Sequence, residues 1–122
     1  MAILSDVTFG VAQVELPAPR GRIDRILYWI PGMSGTLPLD APVSLSIGTP
    51  LTLYVVWTNF GQVPFTGHTD LEIYKPDGTT LTPVALNGQD VVAPPGNGAT
   101  PQFSAVVLDQ VGAWRGRATL SG

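Results

Sequence analysis

His68, Asp70 and Glu72 occupy alternate positions. On an extended strand that spacing points all three side chains to one face, and an imidazole beside two carboxylates is the residue set of a metal or acid–base centre. Alternate side chains along a strand are ~7 Å apart, so one ion held by all three needs a bend or ligands from neighbouring strands. The competing reading is a solvated sheet face, and a single histidine argues against zinc chemistry of the multi-histidine kind. Nucleophiles are no better placed. The chain has no cysteine, and Ser34 in Gly32-Met33-Ser34-Gly35 is a turn serine without the strand-to-helix context of a nucleophile elbow. Glu15, Asp24, Asp70 and Glu72 read as solvated strand positions rather than as the paired carboxylates of a glycosidase. The sequence therefore predicts no enzymatic activity, no cofactor and no metal, with His68, Asp70 and Glu72 as the weak exception.

Binding chemistry is better represented. Two triplets, Arg20-Gly21-Arg22 and Arg115-Gly116-Arg117, hold four of the six basic residues, and Arg25 is a fifth. They make either a local positive site for an acidic partner or glycan, or ordinary cross-strand ion pairs with Asp24, Asp70 or Glu72; the acidic balance of the whole chain favours the pairs. Tyr28, Trp29, Tyr54, Phe60 and Phe65 are the aromatics least committed to a core, and a glycan platform would use Tyr28, Trp29, Phe60 or Phe65. The contiguous run Ile26-Leu27-Tyr28-Trp29-Ile30 reads more readily as an interface strand, which makes Ile26, Tyr28, Trp29 and Ile30 the candidate protein-contact residues.

The elements that must position these groups follow from composition. There are 14 glycines and 12 prolines among 122 residues, about a fifth of the chain against ~12% in an average protein. Breakers at that density leave no uninterrupted stretch for a stable helix. With 44% hydrophobic and 12% charged residues the chain has ample apolar surface to bury, so disorder is excluded too. A net charge of −3 offers no basic footprint for nucleic acid. The longest apolar runs, Ile26 to Ile30 and Leu53 to Trp57, fall far short of the ~20 residues of a spanning helix, so no membrane insertion is expected. Met1 to Val14 lacks the basic start of a secretory signal.

Period-two alternation dominates the rest. Val43, Leu45 and Ile47, then Leu51, Leu53, Val55 and Trp57, share one parity, and Gly48-Thr49-Pro50 splits them into two strands. Asp70 to Tyr74 is a strand with Leu71 and Ile73 inward, and Lys75-Pro76-Asp77-Gly78 is a turn leading to a strand from Thr79 to about Leu86. Asn87 to Gly98 reads as a loop around Val91-Val92. Phe103 to Leu108 and Ala113 to Leu120 are strands, the latter with Trp114, Ala118 and Leu120 on one face. In the first forty residues, Val7, Phe9 and Val11 alternate with a bulge expected near Gly10. Ile23 to Ile30 is a strand apolar on both faces, Ile23, Leu27 and Trp29 against Ile26, Tyr28 and Ile30.

From Val43 onward this layout resembles the immunoglobulin-like β-sandwich modules of bacterial surface and secreted proteins, of the cell-adhesion-related or macroglobulin-like kind. The resemblance rests on Gly48 to Gly61, similar to their strand ending in N-x-G, on Leu71 to Gly78, similar to their P-D-G hairpin, and on Gly112-Ala113-Trp114 in a segment from Val92 to Leu120. It implies an all-β fold, an antiparallel two-sheet immunoglobulin-like sandwich of about seven to nine strands spanning residues 1–122 as one domain. It also implies a structural or adhesion module working through a protein partner or self-assembly, with a carbohydrate as the second candidate ligand. The expected setting is extracellular, cell-surface or virion. Such modules usually carry one more strand after the G-x-W strand, and here the sequence stops at Gly122. The exposed edge predicts that the two-strand segment 1–40 completes the sheet in cis, or else pairs with a neighbouring chain.

Overall fold

The computed structural model describes residues 7–15, 21–81 and 89–121, and every regular element among them is a strand. In chain order these are β1 (Val7–Glu15), β2 (Gly21–Trp29), β3 (Leu37–Pro38), β4 (Val43–Leu45), β5 (Pro50–Asn59), β6 (Phe65–Tyr74), β7 (Thr80–Leu81), β8 (Gln89–Ala93), β9 (Gly98–Ala99), β10 (Gln102–Val107) and β11 (Gly112–Ser121). Two packed sheets result. The first has the order β4-β1-β11-β6-β7, with β8 also on β6; the second has the order β10-β5-β2-β3, with β9 also on β5. Eleven segments among the described residues exceed the seven to nine expected; β3 and β9 are two-residue pairings at the margins, and β7 reaches the edge of the described residues.

Alternation sets which side chains meet between the sheets. Along β5, Leu51, Leu53, Val55 and Trp57 are buried while Thr52, Tyr54, Val56 and Thr58 face outward. β11 repeats the pattern with Trp114, Gly116, Ala118 and Leu120 inward and Arg115 and Arg117 exposed. Between β4 and β5 the chain crosses from the first sheet to the second, and Gly48 makes the bend with φ +83°, a conformation that a side chain would strain. Its amide is held by the Leu108 carbonyl at 2.7 Å.

One pairing departs from the antiparallel expectation: β1 runs parallel to β11 through an unbroken register from Val7↔Gly112 to Glu15↔Leu120. Antiparallel β4 then covers β1 only from Val7 to Phe9. Val7 and Phe9 are fully enclosed in the shared core. No bulge interrupts β1 at Gly10; a bulge lies in β2 between Ile23 and Arg25 instead, where Asp24 is the extra residue. It reverses the parity of the strand, so Ile23 and Ile26 both point inward and Leu27 and Trp29 point outward. A second correction concerns 89–93. This piece is β8, paired with β6 from Phe65↔Ala93 to Thr69↔Gln89, and not a loop. Of the strand expected from Thr79 to about Leu86, Thr80–Leu81 is β7, and residues 82–86 lie outside the described residues.

Glycine matters most where Trp57 packs. An added Cβ at Gly67 would lie 2.7 and 2.9 Å from the far carbons of the Trp57 ring, so only glycine leaves room for the indole. Phe65 meets that ring edge-on, centroids 5.7 Å apart. The loops above are tied by Asn59, wholly buried, whose amide donates to the Val63 and Ala93 carbonyls at 2.9 and 2.8 Å and whose Oδ1 accepts from the Gly61 amide at 2.9 Å.

Candidate functional site

The two outer faces differ in chemistry. On the first sheet, β6 displays His68, Asp70, Glu72 and Tyr74 beside Arg115 and Arg117 of β11 and Asp90 of β8. The second sheet carries its charge at one end only. There Arg22 pairs with Asp24 at 3.5 Å, and Asp24 also accepts a hydrogen bond from Thr58 of β5. Past Arg25, which lies directly opposite Val56, the face turns largely apolar: Leu27 lies opposite Tyr54 and Trp29 opposite Thr52, with Gln102 of β10 on the other side of Tyr54. Directly opposed and diagonal side chains on a sheet touch, so Leu27, Trp29, Tyr54 and Val56 form one patch, and exposed Val107 of β10, opposite Pro50, extends its rim.

Trp29 is the rigid member. Its indole Nε1 donates to the Met33 carbonyl at 3.1 Å, and Met33 in turn donates its amide to the Ile30 carbonyl, so the ring is held against the Ile30-Met33 turn. A half-buried aromatic whose rotamer is already fixed loses little freedom on contact.

The sequence-predicted contact residues separate accordingly. Ile26 is buried, and Tyr28 and Ile30 pack on the core from its margin, so the inward parity restored by the bulge removes them from the outer surface. Of the four only Trp29 faces outward; Leu27 is the partner that a parity count without the bulge misassigns to the side of Ile23. Among the glycan candidates Phe65 is 6% exposed and locked against Trp57, which corrects its reading as a surface platform. Phe60 is 55% exposed, with the Arg22 guanidinium over its ring at 6.0 Å. It follows Asn59, which pairs with Gly21, whereas Trp29 lies eight residues along β2, a separation of roughly 26 Å at the rise of a strand. Tyr28, Trp29, Phe60 and Phe65 therefore do not converge on one ligand.

His68, Asp70 and Glu72 do share a face, yet they divide into two groups. His68 Nδ1 meets Asp90 Oδ1 at 2.6 Å and Nε2 meets Asp70 Oδ2 at 3.1 Å, while the Tyr74 hydroxyl donates to Glu72. Asp90 escapes a sequence reading because it arrives from β8, 22 residues away. The hydrogen bond to Asp90 raises the His68 pKa, with the fields of both carboxylates adding to it and partial burial opposing. Among the described residues no group of three or more His, Asp or Glu side chains is arranged to hold an ion. Ser121 stands opposite His68 in the register of β11. Both imidazole nitrogens are already engaged by carboxylates, which leaves none to accept a proton from its hydroxyl.

Of the arginines, Arg22 finds the expected partner in Asp24. Arg115 and Arg117 do not pair with Asp70 or Glu72; Arg115 lies over the Tyr74 ring at 6.0 Å, and the only ion pairs among the described residues involve Arg22, His68 and Lys75. Arg20 lies outside the described residues. Comparison with protein-family models, with curated proteins and with solved structures found no match to this chain.

Proposed function

We propose that this chain is a non-catalytic, immunoglobulin-like module of a surface layer, secreted multidomain protein or virus particle, and that it assembles with further copies of itself through the outer face of the second sheet. The observation that carries this reading is the patch of Leu27, Trp29, Tyr54 and Val56. It is contiguous and apolar, with Arg25 bordering it opposite Val56, on a sheet face where solvated residues are the rule. A face whose charges, Arg22, Asp24 and Arg25, are gathered at one end suits a second copy of itself, since head-to-tail stacking keeps the charged ends apart, and sheet-on-sheet stacking at ~10 Å is the packing its side chains favour. The first sheet, studded with ionised groups, lacks this property.

Light scattering across a concentration series tests the proposal. The intact chain should gain mass with concentration, Leu27→Asp should remain monomeric, and Val111→Asp, which alters an exposed valine of the 108–111 loop, should behave as the parent. A parent chain that stays monomeric, or a Leu27→Asp variant that still associates, would overturn the assignment. The second reading, a carbohydrate-binding module, draws on the diagonal neighbours Trp29 and Tyr54, which would give a sugar ring a flat support. A saturable glycan signal lost in Trp29→Ala would favour it.

A further inference from the structure

We propose that a groove on the outer face of the first sheet binds an extended acidic peptide segment of a partner protein, with carboxylates on alternate residues. This site is independent of the self-association patch, which lies on the other sheet. The groove encloses about 530 Å³, within the ~300–1,000 Å³ of ordinary ligand sites. Its floor is made where β1 and β11 run side by side. Gly10, Ala12 and Ala113 present no side chain beyond a methyl group there, so a ligand can lie close to the sheet; Tyr74 forms one wall.

Arg115 and Arg117 both line this groove, and neither is in an ion pair among the described residues. Glu72, opposite Arg117 in the register, accepts the Tyr74 hydroxyl, and its carboxylate offsets part of the local positive charge without closing an ion pair. A chain of net charge −3 that leaves two adjacent guanidiniums without an ion pair among the described residues, over a concave, small-residue floor, offers them to an anion. Spacing then selects the ligand. The two arginines are alternate residues of one strand, ~7 Å apart, which is the repeat of alternate side chains on an extended peptide. Guanidinium forks bind carboxylates in a bidentate manner, so an alternating Glu sequence satisfies both at once.

The test is fluorescence anisotropy with three labelled hexapeptides. One alternates Glu and Thr, the second has the same composition as three Glu then three Thr, and the third replaces Glu by Lys. The alternating peptide should bind saturably, about threefold or more tighter than its blocked isomer, and the Lys peptide should not bind. In the variant carrying both Arg115→Gln and Arg117→Gln, affinity should fall about tenfold or more. Ala12→Phe, which fills the floor and keeps both arginines, should lose binding to a similar degree. The proposal is overturned if the two acidic peptides bind equally, if binding survives either variant, if nothing binds saturably, or if a galacturonate oligomer binds tighter than the alternating peptide.

Discussion

Gly67→Ala is the smallest change that probes how the two sheets meet. The new methyl carbon would sit 2.7 and 2.9 Å from the Trp57 ring and 3.0 Å from a Leu120 methyl. Leu120 can rotate away, but the indole is flat, wholly buried and braced by Phe65 on its edge. Overpacking of this kind costs ~1–3 kcal/mol, offset by ~0.4–1 kcal/mol because alanine narrows the unfolded ensemble, so a net loss of about 1–2 kcal/mol is expected. Urea denaturation followed by circular dichroism measures it as a lower midpoint at unchanged slope. The decisive arm is Trp57→Phe. Phenylalanine lacks the two ring carbons that collide, and it also removes the indole N–H, which is buried without a hydrogen-bond partner among the described residues. In that background Gly67→Ala should cost close to nothing, giving a coupling of about 1–2 kcal/mol in the double-mutant cycle. An equal cost in both backgrounds would refute the packing derived for this end of the core.

Three further outcomes follow from the same geometry. Phe9→Ala should cost ~3–5 kcal/mol in the same denaturation assay, because Phe9 is enclosed where β1 completes the first sheet; a loss below ~1 kcal/mol would mean that β1 does not belong to the core. Asn59→Leu should cost about 2–4 kcal/mol, since it strands the Val63 and Ala93 carbonyls and the Gly61 amide, and thermal melts would report it. The raised His68 pKa means that protonation favours the folded state: its contribution is complete below ~6.5 and lost as pH rises through the folded value. His68→Ala should therefore lower the urea midpoint at pH 5 and leave it unchanged at pH 9, by only a few tenths of a kcal/mol because the ring is 40% exposed and screened.

Alternation makes β5 and β11 legible, because their inward positions are almost all aliphatic or aromatic; in β10 an irregularity between Phe103 and Val106 breaks the parity, so Val106 is buried and Val107 is half exposed. β6 was legible only from Asp70 onward: its first half turns Gly67 and Thr69 inward, and neither residue advertises burial. β8 is hidden among breakers, with Ala93 as its one fully buried side chain among those described. The parallel course of β1 along β11 could not be read at all, since period two is the same in either direction. The candidate surface suffered from one residue. The extra position in β2 between Ile23 and Arg25 shifts every later side chain to the opposite face, so an unbroken parity count puts Leu27 with Ile23 although it lies opposite Tyr54. The arginine groove was legible as charge, in Arg115-Gly116-Arg117, but its floor needs Gly10 and Ala12 brought alongside from the other end of the described chain.

Acrylamide quenching of tryptophan fluorescence against concentration tests the assembly face most directly. Trp57 and Trp114 are buried, which leaves Trp29 as the accessible indole of the three. If copies associate through the second sheet, the quenchable fraction falls as concentration rises through the mass transition, and both changes vanish in Leu27→Asp. A mass increase with Trp29 still fully quenchable would place the contact elsewhere and contradict the account.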